Sequence, residues 1–440
     1  MTDAAWINTA LVTARPQAMG ALLRYFRDLD TAEEAYQEAC LRALRTWPTN
    51  GPPRDPAAWL IFAGRNSGID AKRREKKQEA LPDEDQISDL EDAETALADR
   101  LDGQHYRDDI LRLLFICCHP ELPATQQIAL ALRVVCGLTV KQIARAFLVG
   151  EAAMEQRITR AKARIAKADM PFETPGAVDR SERLAAVTAM VYLIFNEGYS
   201  GGGESDGTRL QLCDEAIRLA RLLLRLFPSE PEIMGLTALI LLQHSRSPAR
   251  FDTNRQLILL EDQDRRLWNR QMIAEGLALI DKSARHHQAG SYQIQAAIAA
   301  VHARAATPDD TNWRQIDFLY SLLEEIQPSP VVTLNRAVAV SKTKGPEAAL
   351  AMIEPLENRL SGYFYFYGLR GALLLKLGRA KEAHCAFDQA IALANTAAEA
   401  DHIRQNIDRL KAESEQRTSE LKNKPCQEDD DHSSDHAPTH

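Results

Sequence analysis

The sequence predicts an all-α protein: two small helical modules, the second a helix-turn-helix, followed by a helical-repeat domain. Three observations carry this expectation. Apolar residues recur at helical spacing along most of the chain. Alternating runs of Val, Ile and Thr are few, and hairpin dipeptides do not separate apolar segments. Cap residues stand at the heads of amphipathic runs, with Thr31, Asp55 and Thr139 the clearest. A length of 440 residues is enough for two or three domains with cores of their own.

The first module is expected over residues 10–78. Its helices are Met19 to Arg27, Ala32 to Trp47 and Pro56 to Lys76. Thr31 caps the second, with Glu33 and Glu34 in its first turn, and Asp55 caps the third, with Pro56 at the first helical position. A Gly/Pro-rich loop from Pro48 to Pro53 separates these two. The third helix carries Trp59, Phe62, Arg65 and Asn66, a stacking surface with a cation and an amide, ahead of a basic tail of Lys72, Arg73, Arg74, Lys76 and Lys77. That combination suits single-stranded bases and phosphates, although core packing is the simpler reading of Trp59 and Phe62.

Residues 79–104 form an acidic linker whose stretch from Glu79 to Asp102 contains one base, Arg100. The net charge of −9 therefore hides a strong segregation, two basic segments joined by an acidic strap. Residues 105–170 make the second module. Within it, Gly137 to Lys167 reads as two short helices. Thr139 caps a first helix bearing Val140, Ile143, Ala144 and Phe147, and Gly150 marks the turn. On the second helix Ala153, Met154, Ile158, Ala161 and Ile165 are expected to face inward. Arg157, Arg160, Lys162, Arg164 and Lys167 are expected to face out, where they would meet phosphates and base edges in a major groove.

Residues 181–410 carry an internal repeat. Ala337, Ala349, Ile353 and Leu356 recur as Gly371, Ala383, Phe387 and Ala390, a shift of about 34 residues, the tetratricopeptide period. A weaker copy runs through Ala216, Ala220, Leu223, Pro228, Ala238 and Leu241. Asn196, Glu197, Tyr199, Gly201 and Gly202 lie in a stretch that serves either as a contact loop or as a structural turn. Glu261 to Arg270 is a dense polar cluster better read as an ion network than as a site. The polar, acidic tail, 411–440, is expected to be disordered.

Taken together, AEEAYQEACLRALRTWP, PAAWLIFAGRNSGIDAKRREKK, the acidic linker and LRVVCGLTVKQIARAFLVGEAAMEQRITRAKARI resemble, in that order, a bacterial sigma-70 factor of the extracytoplasmic-function type. The resemblance implies that the first module is region 2 and the second region 4. In the family, a D-A-E-D-x-x-Q-E run carries much of the contact with the RNA polymerase clamp; here Thr31 to Glu38 stands in its place, and Thr31 and Tyr36 depart from it. Glu33, Glu34, Gln37, Glu38 and Arg42 are then the polymerase-binding positions. Trp59, Arg65, Asn66, Lys72, Arg73 and Arg74 fall to the −10 element. Thr139, Lys141, Glu151, Glu155, Gln156, Arg157, Arg160, Lys162 and Arg164 fall to the −35 element. The implied partners are core RNA polymerase, through its clamp and flap, and promoter DNA. VYLIFNEGYSGGG, LEDQDRRLWNR and PSPVVTLNRAVAV resemble a subgroup with a tetratricopeptide-like extension regarded as a built-in regulator, on which a protein or peptide ligand has room to bind. Residues Ala32 to Lys77 argue against the main alternative, a regulator with a repeat-type sensor domain that binds DNA without polymerase.

Other classes are excluded by what the chain lacks. No catalytic fingerprint or phosphate loop is present, so no enzyme and no cofactor is expected. The seven cysteines contain no CxxC pair, which leaves neither a zinc ribbon nor a disulfide framework. No segment reaches the roughly 18 apolar residues of a membrane span, and a cytoplasmic location is expected.

Overall fold

The computed structural model describes residues 3–51, 53–76, 103–147, 149–167, 177–199, 208–253 and 257–394, with 400, 404 and 407 beyond them. These residues form seventeen α-helices and no strand. They fall into two units, Met1–Ser247 with Asn269–Ala296, and Pro248–Trp268 with Ala297–His440.

The first unit opens with α1 (Asp3–Phe26), α2 (Leu29–Asn50) and α3 (Pro56–Lys76). Asp28, not Thr31, caps α2: its carboxylate accepts from the Thr31 backbone N–H at 2.7 Å and from the Thr31 hydroxyl, which starts the helix three residues earlier than the sequence reading placed it. The helix also runs through Pro48 to Asn50 before Gly51, at φ 80°, donates its N–H to the Trp47 carbonyl. Asp55 does cap α3, accepting from Ala57 and Ala58. Trp47 lies at the centre of this group, with Trp6 stacked at 5.9 Å and Trp59 edge-on at 5.3 Å.

Next come α4 (Gly103–Cys117), α5 (Ala124–Val134), α6 (Val140–Ala146) and α7 (Glu151–Lys167). The two modules pack against each other. Helix α4 lies directly on α1: a Cβ placed on Gly20 would come within 2.7 Å of the Asp109 carbonyl oxygen, so only glycine permits the approach. Asp109, itself buried, pairs with Arg24 of α1 at 3.4 Å and with Arg112 at 3.0 Å. Of the expected linker, 79–104, residues 79–102 lie outside the described residues.

The apolar core does not stop there. Helices α8 (Ala177–Tyr199), α9 (Thr208–Leu226), α10 (Pro231–His244) and α11 (Arg270–Ala284) continue it, so that Ile7, Trp47, Leu130, Ile143, Met154, Phe195, Leu223 and Leu241 belong to one cluster. The weaker repeat copy sits here, with Ala216, Ala220, Leu223, Ala238 and Leu241 all buried. Helix α12 (Ser291–Arg304) carries the chain into the second unit.

In the second unit α13 (Trp313–Ile326), α14 (Pro330–Thr343), α15 (Pro346–Ile353), α16 (Phe364–Lys376) and α17 (Ala380–Leu393) form successive helix hairpins. The positions of the 34-residue shift are its core: Ala337, Ala349, Ile353, Ala383, Phe387 and Ala390 are buried. Gly371 lets the Phe387 ring lie where a Cβ would be only 2.6 Å away. Arg265, from the polar cluster, is 6% exposed. It donates to the carbonyls of His302 and Ala305, both at 2.7 Å, under a cation–π contact with Trp268, while Glu261 pairs with Lys342. The cluster is an internal staple rather than a site. The tail beyond 407 lies outside the described residues.

Candidate nucleic-acid interface

Helices α6 and α7 are set by local rules. Thr139 accepts from the Gln142 N–H at 3.2 Å while Gln142 Oε1 accepts from the Thr139 N–H at 2.8 Å, a reciprocal capping box. Ile143, Ala144, Ala146, Met154, Ile158 and Ala161 are buried and fix the angle between the two helices. Ala153 is exposed and Ile165 half-buried, so the inward face of α7 is narrower than the sequence spacing suggested. A Cβ on Gly150 would meet nothing, consistent with an open turn ahead of α7.

The outward face holds most of the expected readers. Thr139, Lys141, Glu151, Glu155, Gln156, Arg160 and Arg164 are exposed, and Arg157 is half-buried. Arg157, Arg160 and Arg164 are spaced three and four apart on one stripe, the arrangement that lets guanidinium groups meet phosphates and guanine edges together. Arg164 also reaches Gln126 Oε1 at 3.4 Å, which orients it along α7.

Lys162 is the exception. Its Nζ donates to Glu33 Oε2 at 2.8 Å and to Asp30 Oδ1 at 2.6 Å, both on α2. Burial alone would lower its pKa, but the bonds from these two carboxylates outweigh that and raise it above the ordinary lysine value. Glu33 is 4% exposed and gathers two more cations, Arg133 at 2.8 Å and Arg15 at 3.9 Å. Arg15 in turn donates to the carbonyls of Val134 and Arg133, closing the C-terminal end of α5, where Gly137 at φ 78° leaves room for its side chain. Arg15, Asp30 and Arg133 were absent from the sequence-derived site. Only Gly137 hinted at them, as a glycine at a helix end.

On α2 the remaining expected contacts divide. Glu34, Gln37 and Glu38 are exposed, Arg42 is half-buried, and Glu33 is withdrawn into the ion cluster. The exposed acids share their face with Leu41 and Leu44, which are 50% and 51% exposed. Leu41 and Leu44 form an apolar pair open to water on a charged helix, which the sequence reading missed because leucine at helical spacing reads as core.

On α3, Trp59 is 8% exposed and packed on Trp47, so it stands in the core and offers no stacking surface. Arg65 lies 4.3 Å over the Tyr25 ring and Asn66 is exposed beside it. Lys72, Arg73 and Arg74 fall on α3, and their side chains lie outside the described residues. Asn196, Glu197 and Tyr199 close α8, half-buried; Tyr199 stacks on Phe195 at 5.1 Å and accepts from Arg246 at 3.0 Å. Gly201 and Gly202 lie outside the described residues. Among the described residues no group of His, Cys, Asp and Glu could hold a metal ion.

Comparison with known proteins assigns these modules. Residues 11–78 match the family model for sigma-70 region 2 and residues 112–165 that for sigma-70, region 4. Residues 183–284 match a family of unknown function, DUF6596. The chain is 71% identical over 413 residues to an uncharacterized protein of Rhizobium meliloti (strain 1021), an alignment that covers 94% of this chain and 98% of the relative. No solved structure matches.

Proposed function

From the premise that this chain belongs to the sigma-70 family, we propose that it binds core RNA polymerase and directs it to a promoter as a factor of the extracytoplasmic-function type. The observation that supports this best is the stripe on α2, where Glu34, Gln37, Glu38, Leu41 and Leu44 share one exposed face inside the region 2 match. Two leucines half in water beside Glu34 and Glu38 give that face both apolar area and charge for a partner. The clamp of core polymerase is the proposed occupant, and the polymerase flap the proposed contact of region 4.

DNA recognition is divided in the same reading. Arg157 and Arg160 with Gln156 on α7 serve the −35 element, and Arg65, Asn66, Lys72, Arg73 and Arg74 on α3 serve the −10 element. The protein makes no bond itself; it supplies position, and the polymerase does the chemistry. The extension from 181 onward, tetratricopeptide-like in its repeat, acts as a built-in regulator. No described helix is long and apolar enough to cross a membrane.

The test uses purified components. Core polymerase, supercoiled genomic DNA and the full-length protein should give transcript starts that neither polymerase nor protein gives alone. Tight binding to duplex DNA without new starts would instead favour a regulator that works without polymerase.

A further inference from the structure

We propose that the molecule has a closed resting state in which region 4 covers part of the polymerase-facing helix of region 2, with Lys162 of α7 inserted between Asp30 and Glu33 of α2 as the latch. The proposal rests on the sigma reading and specifies how its two DNA-binding modules are held apart from their partners.

Geometry carries it. The −10 and −35 elements are about 25 base pairs apart, which at 3.4 Å per pair is about 85 Å of duplex. In this structure α7 touches α2 at 2.6 and 2.8 Å, so the two modules cannot engage the two elements together. Binding a promoter therefore requires this contact to open. The contact is also built on both sides. Among the described residues Glu33 takes cations from α1, α5 and α7, namely Arg15, Arg133 and Lys162, and Asp30 takes Lys162. Three cations around one withdrawn carboxylate are an internal surrogate for an external partner of Glu33, and they occupy a position in the run that the family uses to grip polymerase.

The extension holds region 4 in this pose. Met190 of α8 meets Cys118 at 3.5 Å, Arg183 lies over the Phe115 ring, and Cys136, in the turn before α6, shares a buried cluster with Ala216 and Ile217 of α9. Helices α8 and α9 thus grip the back of region 4 while its front carries the latch. A change in the extension reaches the latch through one continuous core.

Fluorescence energy transfer in the full-length chain tests this. Donor and acceptor are attached at Thr49→Cys on α2 and Ala163→Cys on α7, both exposed positions, with Cys385 and Cys426 replaced by Ser. The free protein should show high efficiency; Glu33→Ala, which releases Arg133 and Lys162 together, should lower it, and Lys162→Ala, which leaves Arg133 on Glu33, should lower it less. Adding core polymerase with a promoter fragment whose start was mapped as above should lower it in every variant. Low efficiency in the free protein, or high efficiency that neither Lys162→Ala nor Glu33→Ala lowers, overturns the latch. So does an unchanged efficiency in a protein that co-elutes with polymerase. Failure to co-elute at all defeats the sigma reading, and the free-protein variants still decide the latch.

Discussion

Lys162 and Glu33 lie 129 residues apart in the chain and 2.8 Å apart in space, the ammonium donating to a carboxylate that is almost completely buried. Their roles are unequal. Glu33 is the hub for three cations, whereas Lys162 is one of three spokes and keeps Asp30 as a second partner.

Glu33→Ala should therefore cost more than Lys162→Ala. Removing the hub leaves Arg15, Arg133 and Lys162 with their shared counter-charge gone, a loss on the order of 3 kcal/mol for a buried network. Removing one spoke leaves Glu33 neutralised by two arginines and should cost about 1 kcal/mol. Urea unfolding of both variants checks the order, and equal losses would refute the hub.

The pH dependence of the Lys162 contribution has a fixed sign. Its pKa is raised on folding, so the contribution is complete below the ordinary lysine value of about 10.4 and fades only as pH climbs through the higher folded value. The stability gap between wild type and Lys162→Ala should stay level from neutrality to about pH 10 and narrow beyond it. A gap that closes between pH 7 and 9 would contradict the pairing.

Two glycines of α16 should respond in opposite directions. Gly371→Ala drives a methyl to within 2.6 Å of the Phe387 ring, and overpacking of about 1–3 kcal/mol exceeds the gain of about 1 in helix propensity. At Gly368 a Cβ meets nothing, so Gly368→Ala should stabilise by about 0.5–1 kcal/mol. Thermal melts of the two variants read the contrast directly.

Leu41→Glu should weaken the binding of core polymerase by tenfold or more while leaving the melting temperature nearly unchanged. Leu41 is already half in water, so little folding energy depends on it. A matching loss at the buried neighbour Ala43 would carry no such meaning, since that change perturbs the fold. Co-elution with polymerase, measured alongside the melt, separates docking from folding.

Deleting Ser181 to His440 should destabilise the first two modules. Phe115, Cys118 and Cys136 lose their cover from Arg183, Met190 and α9, and the truncated chain should aggregate or melt without cooperativity. A soluble, sharply melting fragment would show that the first two modules hold a core of their own.

Much of the fold was readable because its rules are local. The box of Thr139 and Gln142, the Asp55 cap and the 34-residue recurrence of small residues each lie within a short window of sequence. The cap of α2 was misplaced by three residues because Asp28 binds Thr31 and converts an apparent cap into an interior residue. What spacing could not reveal is long-range. Arg15 at the end of α5 and Arg133 beside Glu33 are pairings across more than a hundred residues, and no periodicity records them. Trp59 was ambiguous for a related reason: an aromatic beside a cation looks alike whether it stacks on a base or, as here, packs edge-on against Trp47 in the core.

The ion cluster also has a consequence for synthesis. Of the three cations around Glu33, only Arg15 precedes it in the chain; Lys162 follows 129 residues later. At about 5–20 residues per second, a nascent chain spends about 6–26 s with its α2 acids made and their cover still unwritten. During that interval the surface that folding later closes is open to whatever stands at the ribosome exit.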